Sequence, residues 1–263
     1  MDLREAIHPT GRRHPWETAR LAFFRRQLRG RGLLGPGATV IDAGAGDAFF
    51  ARQLVADVAP GGRIFAFDPQ YSEAHLERLA SDPSAAGIEF ARTRPAVRAD
   101  LLLLMDVLEH VADDRALLVD LVASVVRPGG HVLVSVPAWD QLYTRHDAIL
   151  GHYRRYSPAY LRGLLADGGL ALVAGGGLFH TLLPLRALRR LAAGRFRDAD
   201  SCRRGQPAIE ADTGLARWRA GARLTALVEA VLRVDGGLSA WSSRASLWLP
   251  GLSLWALAVR RAE

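Results

Sequence analysis

Thr39-Val40-Ile41-Asp42-Ala43-Gly44-Ala45-Gly46-Asp47-Ala48 decides the fold. The apolar run Ala38–Ile41 reads as a short strand. It ends in an acidic residue and two glycines at alternate positions, and a helical pattern follows over Ala48–Val58. A strand that enters a Gly-rich turn and opens a helix belongs to a doubly wound sheet, which binds nucleotides beyond the carboxyl ends of its strands. Gly44 and Gly46 permit positive φ and let a ligand approach the backbone closely.

Two details select the nucleotide. A dinucleotide fingerprint needs a third small residue where Phe49 stands, and Asp42 inside the turn would oppose a pyrophosphate. The same carboxylate suits a ligand carrying an α-amino group and a sulfonium. Asp68 closes the next strand, Arg63–Phe67, where it can accept from both hydroxyls of a ribose. The alternatives are a structural Gly turn with an incidental acid, and an NAD(P)-dependent oxidoreductase.

Working outward, strands and helices alternate. Trp16–Leu34 reads as an N-terminal helix, Glu73–Ala80 and Asp113–Val126 as helices, and Ile88–Ala91, Asp100–Met105 and His131–Val136 as strands. Pro128-Gly129-Gly130 reads as a turn. This alternation predicts an α/β, Rossmann-like, mainly parallel sheet with helices on both faces. Ala138–Ser157 reads as a polar loop rich in His, Arg and aromatic residues. Pro158–Ala166 is helical and Leu170–Ala174 strand-like. Beyond lie helices at Leu182–Leu191 and Gly214–Val234 joined by a charged linker, Gly194–Thr213, and an apolar Leu252–Val259 that reads as a helix or a last strand. The expected division is a cap helix over 1–37, a core over 38–178, a helical insertion or lid over 179–250, and the seventh strand over 251–263.

The chain has 263 residues, 49% hydrophobic and 23% charged, with one cysteine, Cys202. That excludes a disulfide framework and a cysteine-based zinc site. All 34 basic residues are Arg, the net charge is +7, and such a surface attracts phosphates, acidic ligands or anionic membranes. The first sixteen residues hold no apolar core, so no secretory leader is expected, and a cytoplasmic location is.

VIDAGAGDA, IFAFDP, LLLLMDVLEHV and RPGGHVLVSVP together resemble four successive motifs of the class I S-adenosylmethionine-dependent methyltransferases, over about residues 16–175. A narrower resemblance, to bacterial members carrying PAWDQLYTRHDAILGHYRRYS after the fifth strand and an LPGLSLWALAVRR-like ending, covers nearly the whole chain. The resemblance implies a methyltransferase with a seven-stranded sheet and S-adenosylmethionine as cofactor. It implies that Asp42, Gly44 and Gly46 line the methionine end, that Asp68 holds the ribose, and that Asp106 belongs to the cofactor pocket. Many relatives place a carboxylate after the third strand to read adenine. Here that stretch, Phe90 to Pro95, has none, leaving Thr93 or a backbone group.

Asp106, Glu109 and His110 follow the fourth strand with D-x-x-E-H spacing, similar to the metal-binding E-x-x-E-H of ubiquinone-pathway O-methyltransferases. The reading adopted is that they shape the turn and pocket without metal. Transfer to a hydroxyl is helped by a base, and His146, His152 and His110 are the candidates. Arg154 and Arg155 offer forked donors to an acidic or phosphorylated group; their alternative is pairing with acidic neighbours such as Asp147. Trp16, Trp139, Tyr143 and Tyr156 are candidate walls of the acceptor site. The basic, one-sidedly apolar helix Leu182–Leu191 could be a substrate lid, a dimer surface or a membrane-surface element. The expected acceptor is a small or lipid-like molecule with an anionic group, methylated at oxygen. Peripheral membrane contact is the expected further partner and nucleic acid is not. A scaffold that binds the cofactor without catalysis is the third function class.

Overall fold

The computed structural model describes residues 13–192 and 220–261. Seven strands form one sheet: β1 (Thr39–Ala43), β2 (Arg63–Phe67), β3 (Ile88–Ala91), β4 (Ala99–Met105), β5 (Val126–Pro137), β6 (Leu170–Leu178) and β7 (Ser253–Arg260). The order across the sheet is β3-β2-β1-β4-β5-β7-β6. β1 to β5 pair in parallel, while β7 runs antiparallel between β5 and β6. Leu252–Val259 is therefore the last strand, not a helix.

The helices are α1 (Pro15–Arg29), α2 (Phe49–Val58), α3 (Glu73–Ala80), α4 (Asp114–Val125), α5 (Arg145–Leu150), α6 (Pro158–Asp167), α7 (Leu183–Ala192) and α8 (Ala222–Arg244). Apolar side chains from both sheet faces build two cores. One joins Ile41, Phe65, Leu102 and Val132 to α4 and α6. The other joins Val40, Leu101 and Trp255 to α1, α2 and α8, with Phe23 and Phe24 against the Trp255 ring at 5.2 and 6.1 Å. Burial on both faces explains the unbroken apolar run of β4.

Boundaries moved where tertiary contacts outweigh local pattern. β6 runs through Gly175-Gly176-Gly177, beyond the expected end at Ala174. A Cβ on Gly175 would meet the Trp248 ring at 2.7 Å, and one on Gly177 the Leu249 carbonyl at 2.2 Å, so the glycines let the 247–251 segment lie on the strand. β5 starts at Val126 and its register jumps from Ala99↔Val126 to Leu101↔His131, so the predicted Pro-Gly-Gly turn is a bulge inside a strand. α8 continues ten residues past Val234, through Gly236. There a Cβ would sit 3.3 Å from the Phe23 ring, and the glycine permits close approach to α1. α8 packs against α1 and β6 in the helical layer over the sheet. The linker Gly194–Thr213 lies outside the described residues.

Candidate functional site

The Gly-rich turn is built as its sequence demands. Gly44 has φ +66°, and a Cβ there would lie 2.8 Å from a Val107 methyl. Gly44 and Ala45 donate their N–H groups to the Phe67 carbonyl, and Gly46 donates to Asp68 Oδ2 at 3.1 Å. Gln70 N–H reaches Asp68 Oδ1 at 2.9 Å, and the Tyr71 hydroxyl donates to the Gly46 carbonyl at 2.7 Å. Asp42 is 3% exposed. Burial, with Asp47 and Asp68 nearby, pushes its carboxyl up to about 7. α1 closes over this end. Arg20 pairs with Asp106 and lies 4.6 Å over the Trp16 ring; Arg13 pairs with Asp47 and lies 4.1 Å over Phe49. Glu17, Arg20, Asp42, Asp47, Phe49 and Met105 line a cavity of about 20 Å³, room for about one water.

The other half of the crevice lies beyond β4 and β5. Asp106 after β4, Trp139 after β5 and Phe179 after β6 all have φ between 58° and 66°, a costly conformation for an aromatic residue. The stretch read as a loop contains α5, opened by a capping box between Thr144 and Asp147. Asp147 is fully buried. Its Oδ1 accepts from Arg155 Nε at 2.9 Å and Nη2 at 2.6 Å, and its Oδ2 from Thr144 N–H at 2.7 Å and Arg186 at 2.9 Å. Burial alone would raise this carboxyl, but His152, Arg155 and Arg186 hold it far below the usual range. His152 Nδ1 stands 3.3 Å from Asp147 Oδ1, and the His152 ring meets His110 edge-to-face at 4.6 Å.

Glu109 is fully buried beside them, and neither carboxylate oxygen has a hydrogen-bond partner among the described residues. Burial, then the charge of Asp106, raises its carboxyl well above the ordinary value. One ligand atom from each of Glu109, His110 and His152 lies within 4.8 Å of the others. Two imidazoles and a carboxylate can hold a divalent transition metal once the carboxyl has lost its proton.

A sequence model of the family described as a methyltransferase domain matches residues 12–174, more than half of the chain. The chain belongs to the methyltransferase-domain family. Within it, the chain is 30% identical over 130 residues to a ubiquinone biosynthesis O-methyltransferase from Methylobacterium sp. (strain 4-46). The match covers 44% of this chain and 51% of that one. The chain spans about half the length of the curated relatives it matches. The fold is shared with an S-adenosylmethionine dependent methyltransferase from Mesorhizobium loti (TM-score 0.51, 16% identity, 89% of this chain and 97% of that). It is shared too with the [4+2]-cyclase SpnF (TM-score 0.56, 16% identity, 98% and 86%).

This is an S-adenosylmethionine-dependent methyltransferase fold, and the residues present fit that cofactor. Asp42, Asp47 and Glu17 line one cavity, with Asp47 and Glu17 shared by Arg13, and Asp68 keeps lone pairs beyond those taken by the Gly46 and Gln70 N–H groups.

On the acceptor side of the methyltransferase the structure differs from expectation. Neither arginine fork is open to a substrate. Arg155 is spent on Asp147 and the Ala138 carbonyl, and Arg154 on Asp114 at 2.6 Å and the Ala112 carbonyl. Tyr156 is fully buried and donates to Asp114 at 2.9 Å, so it braces the fold instead of walling a site. Tyr143 donates to the His152 carbonyl at 2.7 Å, and Trp139 Nε1 to the Gly251 carbonyl at 2.8 Å. His110 and His152 come together. His146, on α5, lies outside their cluster with Glu109, and burial lowers its imidazole. Trp16 packs edge-on to Phe179 at 6.1 Å on the closing helix. Asp147, which the sequence offers only as a neighbour of Arg155, has capping-box spacing from Thr144, and that spacing is the local signal of its inward turn.

Proposed function

We propose that this methyltransferase transfers the methyl group of S-adenosylmethionine to a hydroxyl oxygen of a small or lipid-like acceptor, with His152 as base. The observation that carries this reading is the 3.3 Å contact of His152 Nδ1 with the buried Asp147 carboxylate, beside His110 at the mouth of the sheet. The bound cofactor supplies an electrophilic methyl on a sulfonium. Asp42 and Asp68 hold its methionine and ribose ends. α1 excludes water, and a nucleophile placed in line does the rest. The Asp147 charge lies 3.3 Å from Nδ1 without hydrogen-bond geometry, and its field favours the proton on Nδ1, which leaves Nε2 to take the acceptor proton. Similarity to a chain named for ubiquinone biosynthesis O-methylation supports oxygen as the methylated atom and an apolar acceptor body. The anionic acceptor end read from Arg154 and Arg155 loses its support, because both are held in ion pairs.

Incubating the protein with labelled cofactor and cell extract, then identifying the methylated product, tests the reaction. A product methylated at nitrogen or carbon would overturn the oxygen assignment. His152→Ala should lower kcat by about a hundredfold while leaving cofactor affinity in place. An unchanged kcat would remove His152 as the base.

A further inference from the structure

α8 carries a line of large apolar side chains on its outer side: Leu224, Leu227, Val231, Val234, Leu238 and Trp241, between 42% and 75% exposed. At 3.6 residues per turn they occupy an arc of about 100° over about five turns. The opposite side of the same helix is buried against α1 and β6 through Leu232, Asp235, Ser239 and Ala240, so the line is left by the fold and not by fraying. A contiguous apolar strip of this length on a folded protein marks an interaction surface.

Charge decides what the strip fits. Arg223, Arg233 and Arg244 are exposed along the helix. Among the described residues no ion pair joins them to a carboxylate, and Arg31 adds a further cation beside Arg244. α8 exposes no acid: Glu229 is half-buried and accepts from Thr18, and Asp235 is 2% exposed and holds the N–H groups of His180 and Thr181. A second copy of this surface would set arginines against arginines. An anionic lipid surface sets phosphates against them while taking up the apolar line. Trp241 suits the headgroup boundary, and the arginine stems can reach outward to phosphates.

We propose that the outer face of α8 is a docking surface for an anionic lipid bilayer, on which the protein lies. Among the described residues no helix is long and apolar enough to cross a membrane. This surface is separate from the His152 site and holds whatever the acceptor is.

Flotation of the full chain at physiological salt tests it. One vesicle set is phosphatidylcholine alone, and the other equal parts phosphatidylcholine and phosphatidylglycerol. The protein should float with the anionic set and not the neutral one. Each arginine lost in Arg223→Gln and Arg244→Gln should lower partitioning about fivefold. The triple variant Leu227→Gln, Val234→Gln, Trp241→Gln should abolish flotation, with circular dichroism and cofactor affinity retained. No flotation of the native chain would overturn the proposal, as would arginine variants that bind unchanged. Dimerisation that the triple variant loses, without vesicle binding, would assign the face to a second copy and overturn it as well.

Discussion

Asp147 and Arg186 stand 39 positions apart in the chain, and their side chains meet at 2.9 Å. The carboxylate comes from α5 after the fifth strand and the guanidinium from α7, so this contact ties the insertion to the segment that carries His152. Asp147 holds three things at once: the start of α5, Arg155 against β5, and Arg186 from α7. Leu185 and Leu188 of α7 remain exposed, so this basic helix turns Arg186 inward and these leucines out.

Asp147→Asn should therefore leave two largely buried cations short of their counter-charge. The expected loss is about 3–5 kcal/mol of stability, measured by denaturant unfolding. The carboxyl is held below its ordinary value in the fold, so the stability it contributes is present above the unfolded value near 4 and lost as pH falls below it. A variant as stable as the parent at neutral pH would show that the network is dispensable.

Asp42 has the opposite sign. Its carboxyl is raised to about 7, so burial favours its neutral form below that pH. Its contribution to stability is full below about 4 and declines as pH rises through about 7. A cationic cofactor needs the ionised form, so affinity for S-adenosylmethionine should rise with pH through about 7, with proton release on binding. Calorimetry in buffers of different ionisation enthalpy reads both, and Asp42→Asn should flatten the dependence.

If Asp68 holds the ribose as proposed, Asp68→Ala removes charge-assisted hydrogen bonds, each worth about 1.5–3 kcal/mol, together with the Gly46 N–H contact that holds the turn. Cofactor affinity should fall at least about tenfold in a protein that still folds. Equal affinity by calorimetry would remove Asp68 from the site.

Chelation should leave turnover intact. Burial and the Asp106 charge disfavour ionised Glu109, the form a metal ligand needs, and the His110–His152 pair alone is a weaker set of ligands. Activity lost to a chelator, restored by a divalent ion and absent from Glu109→Gln would assign these three residues to a metal instead.

Gly177→Ala should destabilise the protein by more than about 2 kcal/mol, because the new Cβ would meet backbone at Leu249 and Gly251. Gly163→Ala, where a Cβ meets nothing within 4 Å, is the control.

The sequence by itself determined the sheet, the Gly44–Gly46 turn and the acids at the ends of β1 and β2. These signals are local: two glycines, an apolar run and a strand end impose their chemistry whatever lies far away in the chain. The aromatic and basic segment after β5 was legible in composition and not in arrangement. Arg154, Arg155 and Tyr156 looked like ligand groups because the carboxylates that engage them, Asp114 and Asp147, reach them only through folding. The long β6 depends on a segment some seventy residues away that needs glycines beneath it. The bare outer face of α8 was equally unreadable, since an apolar line on a helix says that something covers it and only the fold leaves that line facing outward. Partners distant in sequence carry no local pattern, and burial, which sets their charge and reach, exists only once the chain has packed.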